Sequence, residues 1–257
     1  MQDITISTVQ TNLIWENQKA NLSHLDQLLS PLQNKTDLIV LPEMFTTGFT
    51  MSAATVAEPM DGPAISWMRK KANELNSAIT GSLIIEDQGK YYNRLIWMDP
   101  NGEFWQYDKK HLFTLAKEQE TFTAGTEKLI VDFKGWKICP LICYDLRFPA
   151  WGRNQEGYDL LIYVANWPKP RAHHWKSLII ARAIENQSYV IGVNRVGKDG
   201  KGHLYSGDTS VVDYAGTLRY QVADVEDVFT TKLKYKAQQE YRSKLNFLPD
   251  RDRFTFS

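Results

Sequence analysis

Hydrophobic and polar positions along the chain follow two periods, one typical of strands and one typical of helices. Residues Ile4–Gln10 alternate apolar and small polar side chains, which predicts a half-buried strand. The runs 37–41 and 159–165 are almost wholly apolar, as in strands that are buried on both faces of a sheet. Leucines at helical spacing predict a helix over 17–29, and a proline at the first position opens another over 63–76.

Tight turns between predicted strands decide the fold class. Residues 78–85 and 91–98 flank Asp-Gln-Gly at 87–89, a hairpin signal that a purely parallel, doubly wound sheet would not contain. Further strands are predicted over 103–107, 128–133, 136–142, 189–196, 209–213, 217–222 and 229–233, and further helices over 171–187 and from Tyr235. About a dozen strands with few helices predict an α/β protein of two mixed sheets packed face to face, with helices outside. One domain over residues 1–257 is expected.

Composition narrows the possible partners. The chain has 257 residues, with 30 Lys and Arg against 30 Asp and Glu. This balance predicts neither nucleic-acid binding nor an anionic-membrane partner. No apolar run approaches the ~18 residues of a membrane-spanning helix, and the first residues do not resemble a signal peptide. Only two cysteines occur, so we expect a cytoplasmic protein in a reducing compartment.

The stretch from Trp136 to Pro149 carries the first candidate for chemistry. An apolar run of strand length ends at Cys143, polar residues follow at once, and Pro149 is placed to open a helix. This arrangement exposes the thiol to a substrate, and nearby backbone N–H groups are expected to favour its thiolate. Cys139 lies inside the apolar run and fits an ordinary buried cysteine.

Three reactive side chains follow three predicted strands: Glu43, Lys109 and Cys143. Taken singly, Glu43 could be a charge at the start of a helix, Lys109 a solvent-exposed charge, and Cys143 an ordinary buried cysteine. Taken together, they form a hydrolytic set in which Glu43 takes the thiol proton and Cys143 attacks a carbonyl carbon. Lys109 and the backbone N–H of Tyr144 would stabilise the oxyanion. No histidine is required.

Three segments, P-E-M-F at 42–45, K-K-H-L-F at 109–113 and I-C-Y-D-L-R-F-P at 142–149, resemble the signature segments of the nitrilase superfamily of carbon–nitrogen hydrolases. The resemblance implies a four-layer α-β-β-α sandwich and no cofactor. It also implies Cys143 as nucleophile, Glu43 as general base, and Lys109, rather than Lys110, as the cationic stabiliser.

The segment V-A-N-W-P-K-P-R at 164–171 makes the chain most similar to the bacterial omega-amidase branch. That branch hydrolyses the terminal amide of 2-oxo-dicarboxylic monoamides such as 2-oxoglutaramate, and its members imply a homodimer. The superfamily also has a second glutamate in the loop before a glycine, here Glu118 or Glu120. Spacing to Gly125 in related amidases favours Glu118, which would orient Lys109, although a solvated loop charge is the alternative.

A substrate of this kind carries a carboxylate, so a cation is expected in its pocket. Arg171 is the candidate, with a solvent-facing helix residue as the alternative. Trp167 would form an apolar wall of the pocket or pack in the core. Arg147 is expected to anchor the turn after Cys143 through an ion pair.

Other functions use the same residue types. A Cys–His hydrolase would pair Cys143 with His111, His173 or His174. A metal site would combine Cys139 and Cys143 with His173 and His174. A nitrilase, an N-carbamoyl amidase or an inactive binding protein of the same fold are further alternatives. The glycine-rich stretch at 197–202 lacks the spacing of a phosphate-binding loop and is predicted to be a turn between strands.

Overall fold

A computed structural model describes residues 1–256 of the chain. The strands are β1 (Ile4–Gln10), β2 (Leu38–Val40), β3 (Ala78–Asp87), β4 (Lys90–Met98), β5 (Phe104–Asp108), β6 (Val131–Phe133), β7 (Trp136–Ile142), β8 (Leu160–Ala165), β9 (Tyr189–Asn194), β10 (Val196–Lys198), β11 (Leu204–Val212), β12 (Leu218–Ala223) and β13 (Asp227–Leu233). The α-helices are α1 (Gln18–Leu29), α2 (Ala53–Val56), α3 (Pro63–Leu75), α4 (Pro149–Gly152), α5 (Ala172–Asn186) and α6 (Tyr235–Lys244). None of these helices is long and apolar enough to cross a bilayer.

The strands form two mixed sheets. The first has the order β13-β1-β2-β3-β4-β5, and β1, β2 and β3 run parallel. The second has the order β10-β11-β9-β8-β7-β6, with β12 beside β11, and β7, β8 and β9 run parallel. The other neighbouring pairs are antiparallel, including the predicted hairpin between β3 and β4. Both sheets are therefore mixed, as the hairpin signals predict.

The short strand β2 shows how the layers are held together. Leu38 and Val40 pack between the two sheets, in a cluster that includes Leu141 of β7. Ile39 points the other way and packs with Met68 of α3. Because successive side chains of a strand face opposite sides, a strand buried on both faces must be apolar throughout. The predicted burial on both faces is confirmed.

Helices cover the outer faces of both sheets. Helices α1 and α3 pack on the first sheet, and α5 packs on the second through Trp175 and Ile179. Helix α6 also lies on the second sheet, where the Gln238 side chain donates to the backbone carbonyl of Asp159 at 2.7 Å. The four-layer α-β-β-α sandwich that the sequence predicts is confirmed.

Three predicted strands in the second half of the chain differ from the structure. The strand predicted over 128–133 is shorter and covers only Val131–Phe133. The predicted strand 189–196 is interrupted at Arg195, whose guanidinium donates to the carbonyls of Val196 and Leu13. Strand β11 begins five residues before the predicted 209–213, at Leu204. The pattern of hydrophobic residues does not predict its first half, because Gly207 and Asp208 adopt left-handed φ angles of 75° and 59° and form a bulge without alternating hydrophobicity.

Candidate active site

The ends of strands from both sheets bring the predicted reactive side chains together. Glu43 follows β2, Lys109 follows β5, Cys143 follows β7 and Asn166 follows β8. Glu43 is fully buried, and Lys109 and Cys143 are only 1% and 9% exposed. The two sheets therefore place a carboxylate, an ammonium and a thiol in one enclosed region.

Lys109 is held between two carboxylates. Its Nζ donates to Glu43 Oε1 at 3.0 Å and to Glu118 Oε1 and Oε2 at 3.0 and 2.9 Å. Glu118 also accepts the backbone N–H of Phe113 at 2.6 Å and has no exposed surface. Glu120 is exposed and pairs with Lys117 instead. The structure thus places Glu118, and not Glu120, against Lys109.

The adjacent Lys110 has a different environment. Its side chain is half-buried, and its Nζ lies over the ring of Trp151, 5.5 Å from the centroid. Lys109 is therefore the one of these two lysines that contacts Glu43.

Burial and neighbouring charges set the protonation states. Burial opposes the charge of Lys109, but Glu118 and Glu43 outweigh it and raise the pKa of the ammonium above its usual value. For Glu118, burial raises the pKa, Lys109 lowers it and Glu43 raises it further, with a net rise. Lys109 is consequently charged at every pH of interest, while two carboxylates share it.

Cys143 differs from the expectation that its thiolate is favoured at rest. Burial, followed by the charge of Glu43, raises the pKa of the thiol well above its usual range, and Lys109 offsets this only in part. The backbone N–H groups of the turn after β7 do not compensate for the unfavourable effect of burial on the thiolate. Cys143 is therefore a thiol at rest, and it would need a base to become a nucleophile.

The backbone is strained beside three of these side chains. Cys143 itself has φ 42°, Met44 directly after Glu43 has φ 43°, and Lys117 directly before Glu118 has φ 59°. A left-handed conformation costs a residue with a Cβ about 1–2 kcal/mol, so each must be held by its surroundings. The strain at Cys143 turns the chain sharply out of β7 into the helical turn Cys143–Arg147.

Two asparagines that sequence analysis did not single out hold Glu43 in place. Asn93 Nδ2 donates to Glu43 Oε1 at 2.8 Å, and the backbone N–H of Asn166 donates to Glu43 Oε2 at 2.7 Å. Asn166 Nδ2 also donates to the Glu43 backbone carbonyl at 2.6 Å. Asn166 could have been found as the first polar residue after the buried strand 159–165. Asn93 carries no such signal, since it is one polar residue within a strand.

Asp145 ties the cysteine turn to the lysine segment. This buried carboxylate accepts the Ile142 N–H at 3.0 Å, the Tyr107 hydroxyl at 2.7 Å and the His111 N–H at 3.0 Å. The His111 ring nitrogen Nδ1 lies 2.8 Å from the same carboxylate. Tyr107 and His111 flank Lys109 in sequence, so one side chain sets the position of the lysine relative to Cys143.

A cavity of about 520 Å³ opens onto Cys143 and Lys109. Its walls include Tyr144, Trp167 and Arg171. Trp167 is only 3% exposed and also packs on Trp175, so it serves both the core and the cavity wall.

Two arginines face this cavity, one of them unexpectedly. Arg147 forms no ion pair within residues 1–256, contrary to the prediction; its guanidinium lies over the Trp167 ring at 4.6 Å and bonds the ring of His174 at 3.2 Å. Arg171 lies over the ring of Phe113 at 5.4 Å. Burial lowers the pKa of Arg147, and the charge of Arg171 contributes in the same direction. Two cations without a carboxylate partner in the described chain make this wall suited to an anion.

The histidines do not form a Cys–His pair in the described residues. His111 is committed to Asp145 and stacks on Phe148 at 3.7 Å, and His174 contacts Arg147. Nor is any group of three His, Cys, Asp or Glu side chains in residues 1–256 arranged to hold a metal ion. Cys139 is fully buried in β7, and burial raises the pKa of its thiol.

Comparison with known proteins identifies the family. The family description "Carbon-nitrogen hydrolase" matches residues 5–243. The chain belongs to the carbon-nitrogen hydrolase family. The resemblance to the nitrilase superfamily that the three segments indicate is thereby confirmed, and the chain is a hydrolase that acts on carbon–nitrogen bonds.

Relatives of this carbon-nitrogen hydrolase match it over almost its whole length. Omega-amidase YafV of Escherichia coli is 44% identical over 256 residues, which cover 99% of each chain. Omega-amidase YafV of Yersinia enterocolitica is 43% identical with the same coverage. The 2-oxoglutaramate amidase of Bacillus subtilis is 31% identical and covers 96% of each chain.

Solved structures agree with the fold described above. A CN-hydrolase superfamily protein of Xanthomonas campestris, which carries an arsenic adduct in its active site, superimposes with a TM-score of 0.98 over 100% of both chains at 42% identity. Nit3 of Saccharomyces cerevisiae, a member of branch 10 of the nitrilase superfamily, has a TM-score of 0.84 at 25% identity and covers 95% of this chain and 94% of its own.

Proposed function

We propose that this carbon-nitrogen hydrolase is an omega-amidase that hydrolyses the terminal amide of 2-oxo-dicarboxylic acid monoamides, such as 2-oxoglutaramate and 2-oxosuccinamate, to the oxo acid and ammonia. The observation that carries the proposal is one cavity lined by Cys143 and Lys109 together with two arginines, Arg147 and Arg171. Such a cavity fits a molecule with an amide at one end and a carboxylate at the other. Full-length similarity to omega-amidases supports the same substrate class.

The first half of the reaction forms a thioester. Glu43 takes the proton from the Cys143 thiol as the sulfur attacks the amide carbon, and the carbonyl oxygen becomes an oxyanion. The ammonium of Lys109 and the backbone N–H of Tyr144 stabilise that oxyanion. Tyr144 stands at the second position of the turn Cys143–Arg147, where a backbone N–H has no partner within the helix. Glu43 then returns the proton to the departing nitrogen, and ammonia leaves.

The second half of the reaction hydrolyses the thioester. Glu43, again ionised, takes a proton from a water molecule, and the resulting hydroxide attacks the thioester carbon. The second oxyanion uses the same two donors. When the C–S bond breaks, the proton on Glu43 returns to sulfur and the oxo acid departs. The net change is the addition of one water and the loss of one ammonia.

Glu118 supports this cycle without exchanging protons with the substrate. Its two oxygens both accept hydrogen bonds from Lys109, and its position is fixed by the Phe113 N–H. The lysine is thereby aimed and kept charged, which an oxyanion donor in a dry site requires.

Arg171 is proposed to bind the substrate carboxylate, with Arg147 beside it and Trp167 as the apolar wall. Guanidinium groups pair with carboxylates through two parallel hydrogen bonds. The guanidinium of Arg171 lies over the ring of Phe113, and that of Arg147 lies over the ring of Trp167. These contacts restrict both side chains, so less side-chain freedom is lost on binding.

The proposal also includes a single catalytic domain, a homodimer and a cytoplasmic location. Two free cysteines suit a reducing compartment. Exposed apolar side chains near the end of α5 and after α6, Ile184 and Leu245, are 49% and 47% exposed and suit an interface between copies.

A substrate panel tests the function. We expect 2-oxoglutaramate or 2-oxosuccinamate to release ammonia with kcat/KM about 10- to 100-fold above that of an uncharged primary amide of similar length, because a charge-assisted pair with an arginine contributes that much. Replacing Arg171 with methionine should remove most of this preference and leave the rate on the uncharged amide unchanged. Lys169→Met is the matched control, since Lys169 pairs with Asp224 on the surface.

Faster turnover of an aliphatic nitrile or a ureido acid than of either oxo-amide would contradict the omega-amidase proposal and favour a nitrilase or an N-carbamoyl amidase. Equal losses in the Arg171 and Lys169 variants would contradict the role given to Arg171.

A further inference from the structure

Asn93 contacts both carboxylates of the candidate active site. It lies in β4 and has no exposed surface. Its side-chain Nδ2 donates to Glu43 Oε1 at 2.8 Å and to Glu118 Oε1 at 3.3 Å. These are the same two oxygens that the Lys109 ammonium contacts at 3.0 Å each. A neutral donor and a charged donor thus bridge one pair of carboxylate oxygens.

Asn93 also holds the backbone of Lys109 in place. Its backbone carbonyl accepts the backbone N–H of Lys109 at 3.0 Å. Asn93, on the neighbouring strand, therefore contacts the backbone nitrogen of Lys109 and also the two carboxylates that bind its Nζ.

The orientation of the Asn93 amide indicates what the residue does. Its oxygen is buried without a hydrogen-bond partner among residues 1–256. Leaving a buried polar atom unpaired is unfavourable. The hydrogen bonds that the amide nitrogen makes to the two carboxylates must therefore outweigh the cost of the unpaired oxygen. The opposite orientation would place the amide oxygen against two carboxylate oxygens, which would repel it.

The two oxygens of Glu43 differ in how many hydrogen bonds they already accept. Each carboxylate oxygen accepts about two hydrogen bonds. Among residues 1–256, Glu43 Oε1 accepts from Lys109 and Asn93, whereas Oε2 accepts only the Asn166 N–H. The free lone pair, and therefore the position for the thiol proton, lies on Oε2.

We propose that Asn93 is a positioning residue that keeps Glu43 ionised and turned so that only Oε2 receives the proton of Cys143. It does so by adding a donor without a further charge to two carboxylates that share one ammonium. This inference rests on the proposed role of Glu43 as base, and it does not depend on which amide is the substrate.

Replacing Asn93 with leucine, which has a similar shape and no donor, tests the proposal. We expect kcat/KM to fall about 10- to 100-fold, the value of a hydrogen bond to a charged group. The acidic limb of the pH profile should move up by about one pH unit, because the carboxylate pair holds its proton more tightly without the donor. The matched control is Thr80→Val in β3, which removes a buried hydroxyl that has no partner in the described chain.

Asn93→Asp keeps the size and covers the case in which the leucine variant does not fold. The introduced carboxyl can replace the donor only while it is protonated. The activity of Asn93→Asp should therefore fall at high pH, where the introduced carboxyl loses its proton. The pH profile of this variant should have an alkaline limb that the wild type and Thr80→Val lack.

Alkylation of Cys143 by iodoacetamide provides a second measurement, because the thiol displaces iodide and no amide bond has to be hydrolysed. In the Asn93 variants, the pH profile of the alkylation rate should show the same shifts as the pH profile of turnover. Because alkylation does not depend on the choice of substrate, it tests the role of Asn93 even if the proposed substrate is wrong. The proposal is overturned if folded Asn93 variants keep the wild-type pH profiles for both reactions. It is also overturned if their kcat/KM stays within about threefold of Thr80→Val.

Discussion

Replacing Cys143 with alanine is expected to lower kcat for 2-oxoglutaramate on the order of 10⁵-fold, because no thioester can form without the sulfur. The fold should remain intact, since Cys143 lies at the surface of the cavity and alanine leaves the turn after β7 free of clashes. Steady-state ammonia release measures the loss, and the melting temperature shows that the variant is folded.

Cys139→Ala is the matched control for this experiment. Its thiol is fully buried within β7, four residues before Cys143, and does not line the cavity. Its removal should leave kcat within about threefold and lower the free energy of unfolding by about 1 kcal/mol through the small cavity that it creates. A comparable loss of activity in both variants would show that the nucleophile has been assigned wrongly.

Glu43→Gln is expected to reduce kcat on the order of 10³-fold, within the usual contribution of a general base. Glutamine has the same shape but cannot take the thiol proton or activate the water, so both halves of the reaction slow. The raised pKa of the Cys143 thiol makes this dependence strong, since the thiol is protonated at neutral pH and has to transfer its proton. Ammonia release over a range of pH should also lose its acidic limb.

Glu120→Gln serves as the control for the glutamate. Glu120 is exposed and lies two residues from Glu118, so its neutralisation should leave kcat unchanged. Retention of more than about a tenth of wild-type kcat in Glu43→Gln would remove Glu43 from its proposed role.

Much of the fold could be predicted from periodicity. The apolar run 37–41 and the turn at 87–89 already distinguish a mixed sheet from a parallel one, and both features occur where they are predicted. The positions of Glu43, Lys109 and Cys143 after strands could likewise be read from the sequence. Their convergence follows from the packing of two sheets, which the strand count favours.

Other features depend on tertiary contacts that no local pattern reveals. The protonated state of Cys143 results from burial next to Glu43, although the local sequence favours a thiolate. Arg147 faces the cavity because Trp167 stacks against it, and no carboxylate pairs with it in residues 1–256. Asn93 contacts two carboxylates that are distant in sequence, so its place in a strand gives no sign of them.

Rapid-quench mass spectrometry of the enzyme during turnover of 2-oxoglutaramate would detect the proposed thioester itself. The proposed mechanism requires an adduct equal in mass to the substrate less ammonia, located on the peptide segment that contains Cys143 and absent from Cys143→Ala. An adduct on another residue, or full turnover with no adduct at any quench time while ammonia accumulates in a burst, would contradict it.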